Sequence, residues 1–247
     1  MGHAGRMAAP AARQSRFSGG RLSLRMHLGT RVWLFDLDDT LHDASSASFV
    51  AINEGMTSYI ERELGLGRDE AYALRGRYWL RYGATLLGLV RHHGVDAAHF
   101  LHHTHVLPGL EDRVRGHRHD IAALARLPGR RVLLTNAPAA YSARVLGVLG
   151  IAHLFDAIVS IEDLKMFGHL RPKPDARMLR ALAVRLGVPP ERCTLVEDTL
   201  VHQKAARRIG MHTVWMQRWL RRGRPEGRWR RRPAYVDRRV TRLRDLR

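Results

Sequence analysis

The sequence predicts an α/β protein, in which a parallel sheet core is interrupted by a helical insert. Two observations lead to this fold class. Short apolar runs that predict strands alternate with helical patterns over the second half of the chain, which is typical of parallel sheets with right-handed crossovers. A further predicted strand stands alone near residue 32, separated from the others by helical patterns without strands. With 247 residues, 45% of them hydrophobic, the chain is long enough for one core with a substantial insertion.

The first predicted strand is residues 31–35, a short apolar run that stops abruptly in the polar segment 36–40. Helical patterns follow over residues 45–105. Apolar residues recur at helical spacing from Phe49 to Ile60, and a second helical stretch runs from Asp69 to His92. We expect no strand in this region.

Helices and strands alternate from about residue 118 onwards. The predicted strands are residues 131–134, 157–160, 193–196 and 213–216. The predicted helices are residues 121–127, a segment ending at Leu149, residues 175–186 and a segment ending at Ile209. We therefore expect an α/β core made of residues 29–44 and 118–247 and a helical insert of residues 45–117. Residues 1–28 are rich in Ala, Gly, Ser and Arg, and we expect a disordered leader there.

Composition narrows the classes of protein that fit. The single cysteine, Cys193, excludes an intramolecular disulfide and any multi-cysteine metal site. The sequence has no apolar run long enough to span a membrane and no secretory signal, so we expect a cytoplasmic protein without a membrane partner. The sequence does not indicate an oligomeric state.

The net charge of +19 is concentrated at the two ends of the chain. Residues 1–31 hold six arginines and no acid, and residues 217–247 hold thirteen arginines against three acids, so residues 32–216 carry only +3. Basic segments favour nucleic acid as a partner because they release counterions from phosphates. Since the chain has only three lysines, the arginine excess is more typical of genome-wide composition, and we do not expect nucleic acid as the main partner.

Polar side chains stand just beyond the carboxyl ends of the predicted strands, which is where ligands bind in open α/β sheets. They are Asp36 and Asp38, Thr135 and Asn136, Lys173, and Glu197 and Asp198. Clustered carboxylates repel one another and are costly to bury unless a cation joins them. Mg²⁺ prefers oxygen ligands and commonly binds one or two carboxylates together with a substrate phosphate. We therefore expect Asp36 and Asp198 to bind Mg²⁺, with the backbone carbonyl of Asp38 as a third ligand.

The same residues predict phosphoryl-transfer chemistry. Asp36 could attack phosphorus, since carboxylates form aspartyl-phosphate intermediates. Asp38 lies on the same side of an extended backbone and could serve as general acid and general base. Lys173 would neutralise the transferring oxygens, and Thr135 would form hydrogen bonds to them.

Four segments resemble, in order and spacing, the motifs of the haloacid dehalogenase-like hydrolase superfamily. They are Asp36-Leu-Asp-Asp-Thr40, Leu133-Leu-Thr-Asn136, Arg171-Pro-Lys-Pro-Asp175 and Leu195-Val-Glu-Asp-Thr199. The resemblance covers about residues 30–245 and implies a Rossmann-like core, Mg²⁺ dependence and an aspartyl intermediate. The insert resembles the helical cap of subfamily I. Asp38 marks phosphatases and phosphomutases within this superfamily, because true dehalogenases lack it.

A narrower resemblance concerns the predicted substrate. Three segments, residues 78–89, 136–137 and 196–200, are similar to the pyrimidine 5′-nucleotidase branch, which implies hydrolysis of UMP- or CMP-like nucleotides. The candidate substrate-binding residues are Thr135, Asn136, Lys173 and Tyr82. Two alternatives stay open: another capped phosphatase acting on phosphoglycolate or a sugar phosphate, and an arginine-rich nucleic-acid-binding protein with a vestigial site.

One position departs from the superfamily pattern. Many members carry a second acid four residues beyond the aspartate of the last motif, where this chain has His202. Glu197 could replace that acid in the metal site, or could orient its neighbours instead.

Two clusters in the insert each allow two interpretations. Tyr78, Trp79 and Tyr82 could stack on a nucleobase or pack between helices. Among six histidines between residues 92 and 105, His99 with His102 or His103 has zinc-binding spacing. Without a cysteine or carboxylate pattern nearby, a solvated helix face is the favoured interpretation of these histidines.

Overall fold

The computed structural model describes residues 30–220 and 231–246. The expected leader, residues 1–28, and part of the arginine-rich end lie outside these ranges. Within them the chain forms a six-stranded parallel sheet, a short antiparallel hairpin and helices. This architecture confirms the predicted α/β fold with a parallel sheet. No helix in the described ranges is both long enough and apolar enough to cross a membrane.

Five of the eight strands among the described residues lie where the sequence predicts them. They are β1 (Val32–Phe35), β2 (Arg130–Leu134), β3 (Ala157–Val159), β4 (Lys165–Met166), β5 (His169–Leu170), β6 (Cys193–Glu197), β7 (His212–Met216) and β8 (Arg238–Val240). The main sheet has the order β3-β2-β1-β6-β7-β8, with parallel neighbours throughout. The first strand therefore lies in the middle of the sheet, between the strands that carry the second and fourth motifs.

Helices cover both faces of this sheet. The α-helices are α1 (Ala44–Ala47), α2 (Phe49–Leu64), α3 (Arg68–Tyr82), α4 (Thr85–His93), α5 (Ala97–Thr104), α6 (Leu110–Arg113), α7 (Arg118–Ala125), α8 (Ala139–Leu149), α9 (Ala176–Arg185) and α10 (Leu200–Arg208). Successive side chains of β1 point to opposite faces. Val32 and Leu34 pack with residues of α9 and α10, whereas Trp33 and Phe35 pack with residues of α7 and α8. Burial on both faces explains why β1 is an uninterrupted apolar run.

The helices between β1 and α7 include a group with its own hydrophobic cluster. Most of its side chains come from α2, α3, α4 and α5, among them the buried Tyr59, Tyr78 and Phe100, and Ile161 joins it from outside the insert. As the sequence predicts, none of the described residues between 45 and 105 forms a strand. The division of the chain into a core and a separate cap domain stays a prediction.

The predicted single helical stretch from Asp69 to His92 is wrong in one respect, because α3 ends at Tyr82 and α4 begins at Thr85. Gly83 terminates α3 with φ of +79°, a left-handed conformation that favours glycine. A Cβ atom at Gly83 would lie 2.9 Å from Cδ of Pro174. The break therefore lets the insert approach the loop that carries Lys173.

Two strand pairings were not predicted from the sequence. β4 and β5 form an antiparallel hairpin of two residues each, too short to give an alternating pattern. β8 lies in the arginine-rich end and extends the sheet beside β7. It is preceded by Asp237, whose carboxylate accepts a hydrogen bond of 2.9 Å from the backbone N–H of Thr213 in β7. This contact fixes a segment whose composition alone resembles a solvated tail.

Candidate active site

Three carboxylates meet where β1 and β6 end side by side. Phe35 pairs with Val196 in the sheet, and the N–H of Asp36 donates to the carbonyl of Val196 at 3.0 Å. This register brings Asp36 next to Glu197 and Asp198, and one carboxylate oxygen from each residue lies within 4.8 Å of the other two. The predicted convergence of acids from the first and fourth motifs is present in the structure.

Lys173 enters this cluster as a buried cation. Its Nζ lies 2.6 Å from Oδ1 of Asp36 and 2.7 Å from Oε2 of Glu197, and its side chain is only 1% exposed. Asn136 fixes the lysine backbone from both sides: its Nδ2 donates to the carbonyl of Lys173 at 2.9 Å, and its Oδ1 accepts from the Lys173 N–H at 2.9 Å. Asn136 therefore links the second motif to the third, a contact that the sequence did not reveal.

The pKa values of the buried groups in this cluster are shifted in different directions. Burial, followed by the charge of Glu197, raises the pKa of Asp36 well above its usual value, although Lys173 opposes this shift. Burial and the charges of Glu197 and Asp36 likewise raise the pKa of Asp198. Burial alone would also raise the pKa of Glu197, but Lys173 and His202 outweigh it and lower that pKa. Burial would lower the pKa of Lys173, yet Asp36 and Glu197 raise it. The two carboxylates therefore favour the charged form of Lys173.

The donor set fits a hard divalent cation. One ammonium group, Lys173, cannot balance the charges of Asp36, Glu197 and Asp198 together. The pKa values of Asp36 and Asp198 are raised first by burial and then by the charge of Glu197. A cation with oxygen preference would favour the ionised form of both aspartates. Among the described residues, Asp36, Glu197 and Asp198 are the group of side chains able to hold a metal ion.

Glu197 has contacts on both of its oxygens. Besides Lys173, Oε2 has His202 Nδ1 at 3.0 Å, and Oε1 accepts from the N–H of Thr199 at 3.2 Å. His202 occupies the position where the superfamily often has an acid. It lies beside Glu197, the acid that ends β6. The pairing needs the first turn of α10 to fold back over the end of β6, so sequence spacing did not show it.

Thr135 follows β2, the neighbour of β1 in the sheet. Its N–H donates to the carbonyl of Val159 at 3.0 Å, and its Oγ1 accepts from the N–H of Ala137 at 3.0 Å. Among the described residues, the hydroxyl hydrogen of Thr135 has no acceptor within hydrogen-bond distance. The hydroxyl thus keeps a free donor at the edge of the sheet where the carboxylates meet.

Asp38 has contacts with two side chains that the sequence did not single out. Tyr141, from α8, donates to its Oδ1 at 2.8 Å, and Nε2 of His42 lies 3.0 Å from the same oxygen. The side chain of Asp38 is 17% exposed, twice the exposure of Asp36 at 8%. The side chain of Asp38 is therefore more accessible to solvent than that of Asp36.

Tyr82 lies beside the Lys173 loop rather than among the carboxylates. It lines a cavity of about 370 Å³ between the insert and that loop, together with Leu87, Leu170, Pro174 and Arg177 among others. Its hydroxyl lies 2.5 Å from Nε2 of His92. Tyr78, in contrast, is buried in the hydrophobic cluster of the insert, while Trp79 is 60% exposed. The three aromatic residues therefore occupy three different environments.

Three histidines of the insert, His92, His93 and His99, contact tyrosine hydroxyls. Nδ1 of His99 lies 2.8 Å from the hydroxyl of Tyr59, and Nε2 of His93 lies 2.8 Å from that of Tyr78. The zinc interpretation of His99 gains no support, because the possible metal-binding group found among the described residues contains none of these histidines.

We expect Asp175→Ala to destabilise the protein by about 1 to 2 kcal/mol at pH 7. The carboxylate caps α9 by accepting from the N–H of Arg177 at 2.9 Å, and it pairs with Arg171 and Arg177. Burial opposes ionisation, but these partners lower the pKa of Asp175 to about 2. The measurement is urea-induced unfolding followed by circular dichroism.

The pH dependence of this contribution has a definite sign. Because the folded pKa of Asp175 is below the unfolded value, its charge stabilises the fold above about pH 4 and this stabilisation is lost as pH falls towards 2. Asp175→Asn keeps a capping oxygen without the charge, so its deficit relative to the native chain should shrink over that window. An equal deficit at pH 7 and pH 2 would contradict the assignment.

Comparison with known proteins points in one direction. The profile of a family described as haloacid dehalogenase-like hydrolase matches residues 30–210. Phosphate metabolism protein 8 of Saccharomyces cerevisiae is 25% identical over 196 residues, which cover 74% of this chain and 60% of that protein. Fructose-1-phosphate phosphatase YqaB of Escherichia coli is 38% identical over 88 residues, which cover 35% of this chain and 44% of that protein. The chain thus spans less than two thirds of either relative.

The fold has solved counterparts as well. A crystal structure of a HAD phosphatase from Thermococcus onnurineus matches with a TM-score of 0.56 and 21% sequence identity, covering 87% of this chain and 95% of that one. At this level of identity the match shows a shared fold only.

Proposed function

The chain belongs to the haloacid dehalogenase-like hydrolase family, and on this premise we propose that it is a Mg²⁺-dependent phosphomonoesterase that works through an aspartyl-phosphate intermediate. The observation that carries the proposal is the buried contact of Lys173 with Asp36 and Glu197, next to Asp198, at the carboxyl ends of β1 and β6. A nucleophile, a fixed cation and an acidic metal site are thereby joined in one place.

Asp36 and Asp198 would hold Mg²⁺, with the backbone carbonyl of Asp38 as the third protein ligand. When bound, the ion would neutralise charge on the phosphate oxygens and favour the ionised form of Asp36. Direct ligation by Glu197 stays a prediction. Since both oxygens of Glu197 already have partners, its contacts favour the role of holding Lys173 in place.

In the first chemical step, a carboxylate oxygen of Asp36 attacks phosphorus and the bond from phosphorus to the ester oxygen breaks. Asp38, in its protonated form, gives its proton to the departing alkoxide. Lys173 offsets the negative charge beside the attacking oxygen, and the Thr135 hydroxyl donates to a phosphoryl oxygen. The products of this step are an alcohol and a phosphorylated Asp36.

In the second step, Asp38 takes a proton from a water molecule that attacks the same phosphorus. The bond between phosphorus and Asp36 breaks, inorganic phosphate leaves, and Asp36 returns as a carboxylate. Asp38 ends the cycle protonated, ready for the next substrate. One residue can serve in both directions because it meets the alkoxide and the water at the same position in turn.

We further propose that residues 45–117 form a cap over the core made of residues 29–44 and 118–247, and that the substrate is a pyrimidine nucleoside monophosphate. The hydrophobic cluster that α2, α3, α4 and α5 share, with Ile161 as its buried contact to the rest of the chain, supports a cap. The cavity of about 370 Å³ that Tyr82 lines together with residues on either side of Lys173 is the space we propose for the substrate's leaving group. A sugar phosphate is the second candidate, since the E. coli relative is named a fructose-1-phosphate phosphatase.

The test is phosphate release from a panel of UMP, CMP, fructose 1-phosphate and phosphoglycolate, with Mg²⁺ and with EDTA. We expect Mg²⁺-dependent release, with kcat/KM for UMP or CMP about tenfold or more above that for the other substrates. Equal values across the panel would exclude the nucleotide preference. Absence of release from every ester, together with salt-sensitive binding of nucleic acid, would instead favour a binding protein with a vestigial site.

A further inference from the structure

A buried hydrogen-bond network holds one oxygen of Asp38 in place. Oδ1 accepts from the hydroxyl of Tyr141 at 2.8 Å and lies 3.0 Å from Nε2 of His42. Two groups from different parts of the fold thus meet at one atom: His42 lies in the loop four residues further along, and Tyr141 lies in α8. Within the described residues, Oδ2 of Asp38 has no such partner.

Both supporting side chains are themselves buried. Tyr141 is 1% exposed, and its oxygen lies 2.8 Å from Oγ of Ser48, which also donates to the carbonyl of Ala44. His42 is fully buried, and its Nδ1 has no hydrogen-bond partner among the described residues. The ring proton is therefore assigned to Nε2, where it has an acceptor.

We propose that Tyr141 and His42 are positioning residues for the general acid, fixing Oδ1 of Asp38 so that Oδ2 meets the ester oxygen of the substrate. The inference rests on the proposed function, in which Asp38 protonates the leaving group. An aspartate side chain has two rotatable bonds, so an unrestrained carboxyl group would spend little of its time in a productive orientation. Two donors on one oxygen remove that freedom and leave the other oxygen for proton transfer.

This role makes a specific prediction about leaving groups. An alkoxide is too basic to depart without a proton, whereas nitrophenolate departs unprotonated, so only alkyl esters need the acid in the first step. In a double-displacement reaction, kcat/KM reports the steps up to the first irreversible one, here the formation of phospho-Asp36. The ratio of kcat/KM for an alkyl ester to that for p-nitrophenyl phosphate therefore measures how well Asp38 delivers its proton.

The experiment compares the native chain with Tyr141→Phe, which removes only the hydroxyl group. For the panel's best alkyl ester, UMP on our proposal, we expect kcat/KM to fall by about 10- to 100-fold, and for p-nitrophenyl phosphate by less than about threefold. His42→Leu should shift the ratio in the same direction. His42→Gln, whose amide nitrogen can reach the place of Nε2, should restore part of it.

Tyr59→Phe is the matched control, because Tyr59 is also buried, its hydroxyl also contacts a histidine, and it lies in the insert. It should leave the ratio unchanged. Thermal unfolding of each variant separates loss of fold from loss of orientation. An equal loss of kcat/KM on both esters in folded Tyr141→Phe would overturn this inference while the proposed function stands. A native chain that hydrolyses neither ester would overturn the proposed function itself.

Discussion

Asp36→Asn is expected to reduce phosphate release by at least about 10³-fold, because an amide cannot form the phosphorylated intermediate. The side chain keeps its shape, and the amide oxygen can still accept from Nζ of Lys173, which lies 2.6 Å from Oδ1 in the native chain. The substitution also removes one of three crowded carboxylates, so the fold should persist. The measurement is inorganic phosphate release from the best substrate, with circular dichroism to verify the fold.

Asp120→Asn supplies the control for this experiment. Asp120 is another buried aspartate, and it accepts from the N–H of Leu243 at 2.9 Å and pairs with Arg218, outside the carboxylate cluster. Its substitution should change stability without a comparable change in turnover. If Asp36→Asn kept turnover within about threefold of the native value, nucleophilic attack by Asp36 would be refuted.

Lys173→Met is expected to affect both activity and stability. Turnover should fall by about 10² to 10³-fold, because the positive charge that offsets the negative charge of the phosphoryl oxygens is lost. The free energy of unfolding should fall by about 3 kcal/mol, because Asp36 and Glu197 remain buried without their ammonium partner. Methionine keeps most of the volume, so the loss reports charge rather than a cavity. Phosphate release and urea-induced unfolding measure the two effects.

The pH dependence of that stability loss follows from the pKa shifts. The pKa of Lys173 is raised, so its contribution is complete below the unfolded pKa of about 10 and is lost only as pH rises through the higher folded value. The pKa of Glu197 is lowered, so its contribution is complete above about pH 4 to 5 and is lost as pH falls through the folded value. The difference between native and variant chains should therefore be largest between about pH 5 and 10.

Glu197→Gln is the companion variant, since it removes the second negative charge beside Lys173 and keeps the shape of the side chain. We expect a smaller loss of turnover than for Lys173→Met, because Asp36 still holds the ammonium group. A Lys173→Met chain as stable as the native one at pH 7 would contradict the assignment of a buried, ionised pair.

The fold could be predicted because its strands are buried on both faces and its helices are amphipathic. β1 reads as an apolar run for that reason, and the alternation from residue 118 onwards gives the parallel sheet. The hairpin at residues 165–170 and β8 escaped prediction. The hairpin strands are too short to have a period, and β8 pairs through backbone atoms in a segment whose side chains are mostly arginine.

The carboxylate site was predictable for a related reason. Parallel strands end at one edge of a sheet, so motifs that follow β1 and β6 must meet, whatever the length of chain between them. The sequence by itself therefore determined the family, the parallel core and the meeting of Asp36, Lys173 and Asp198.

Only the tertiary structure decided which partners hold those groups in place. These partners are Asn136 for the backbone of Lys173, His202 for Glu197, and Tyr141 and His42 for Asp38. Their contacts depend on side-chain rotamers and on the paths of the loops. The residue types involved are common and their spacings carry no period, so the pattern of the chain contains no signal for them. A hydrogen bond depends on distances of a few tenths of an ångström, and these are fixed only when the helices and loops pack.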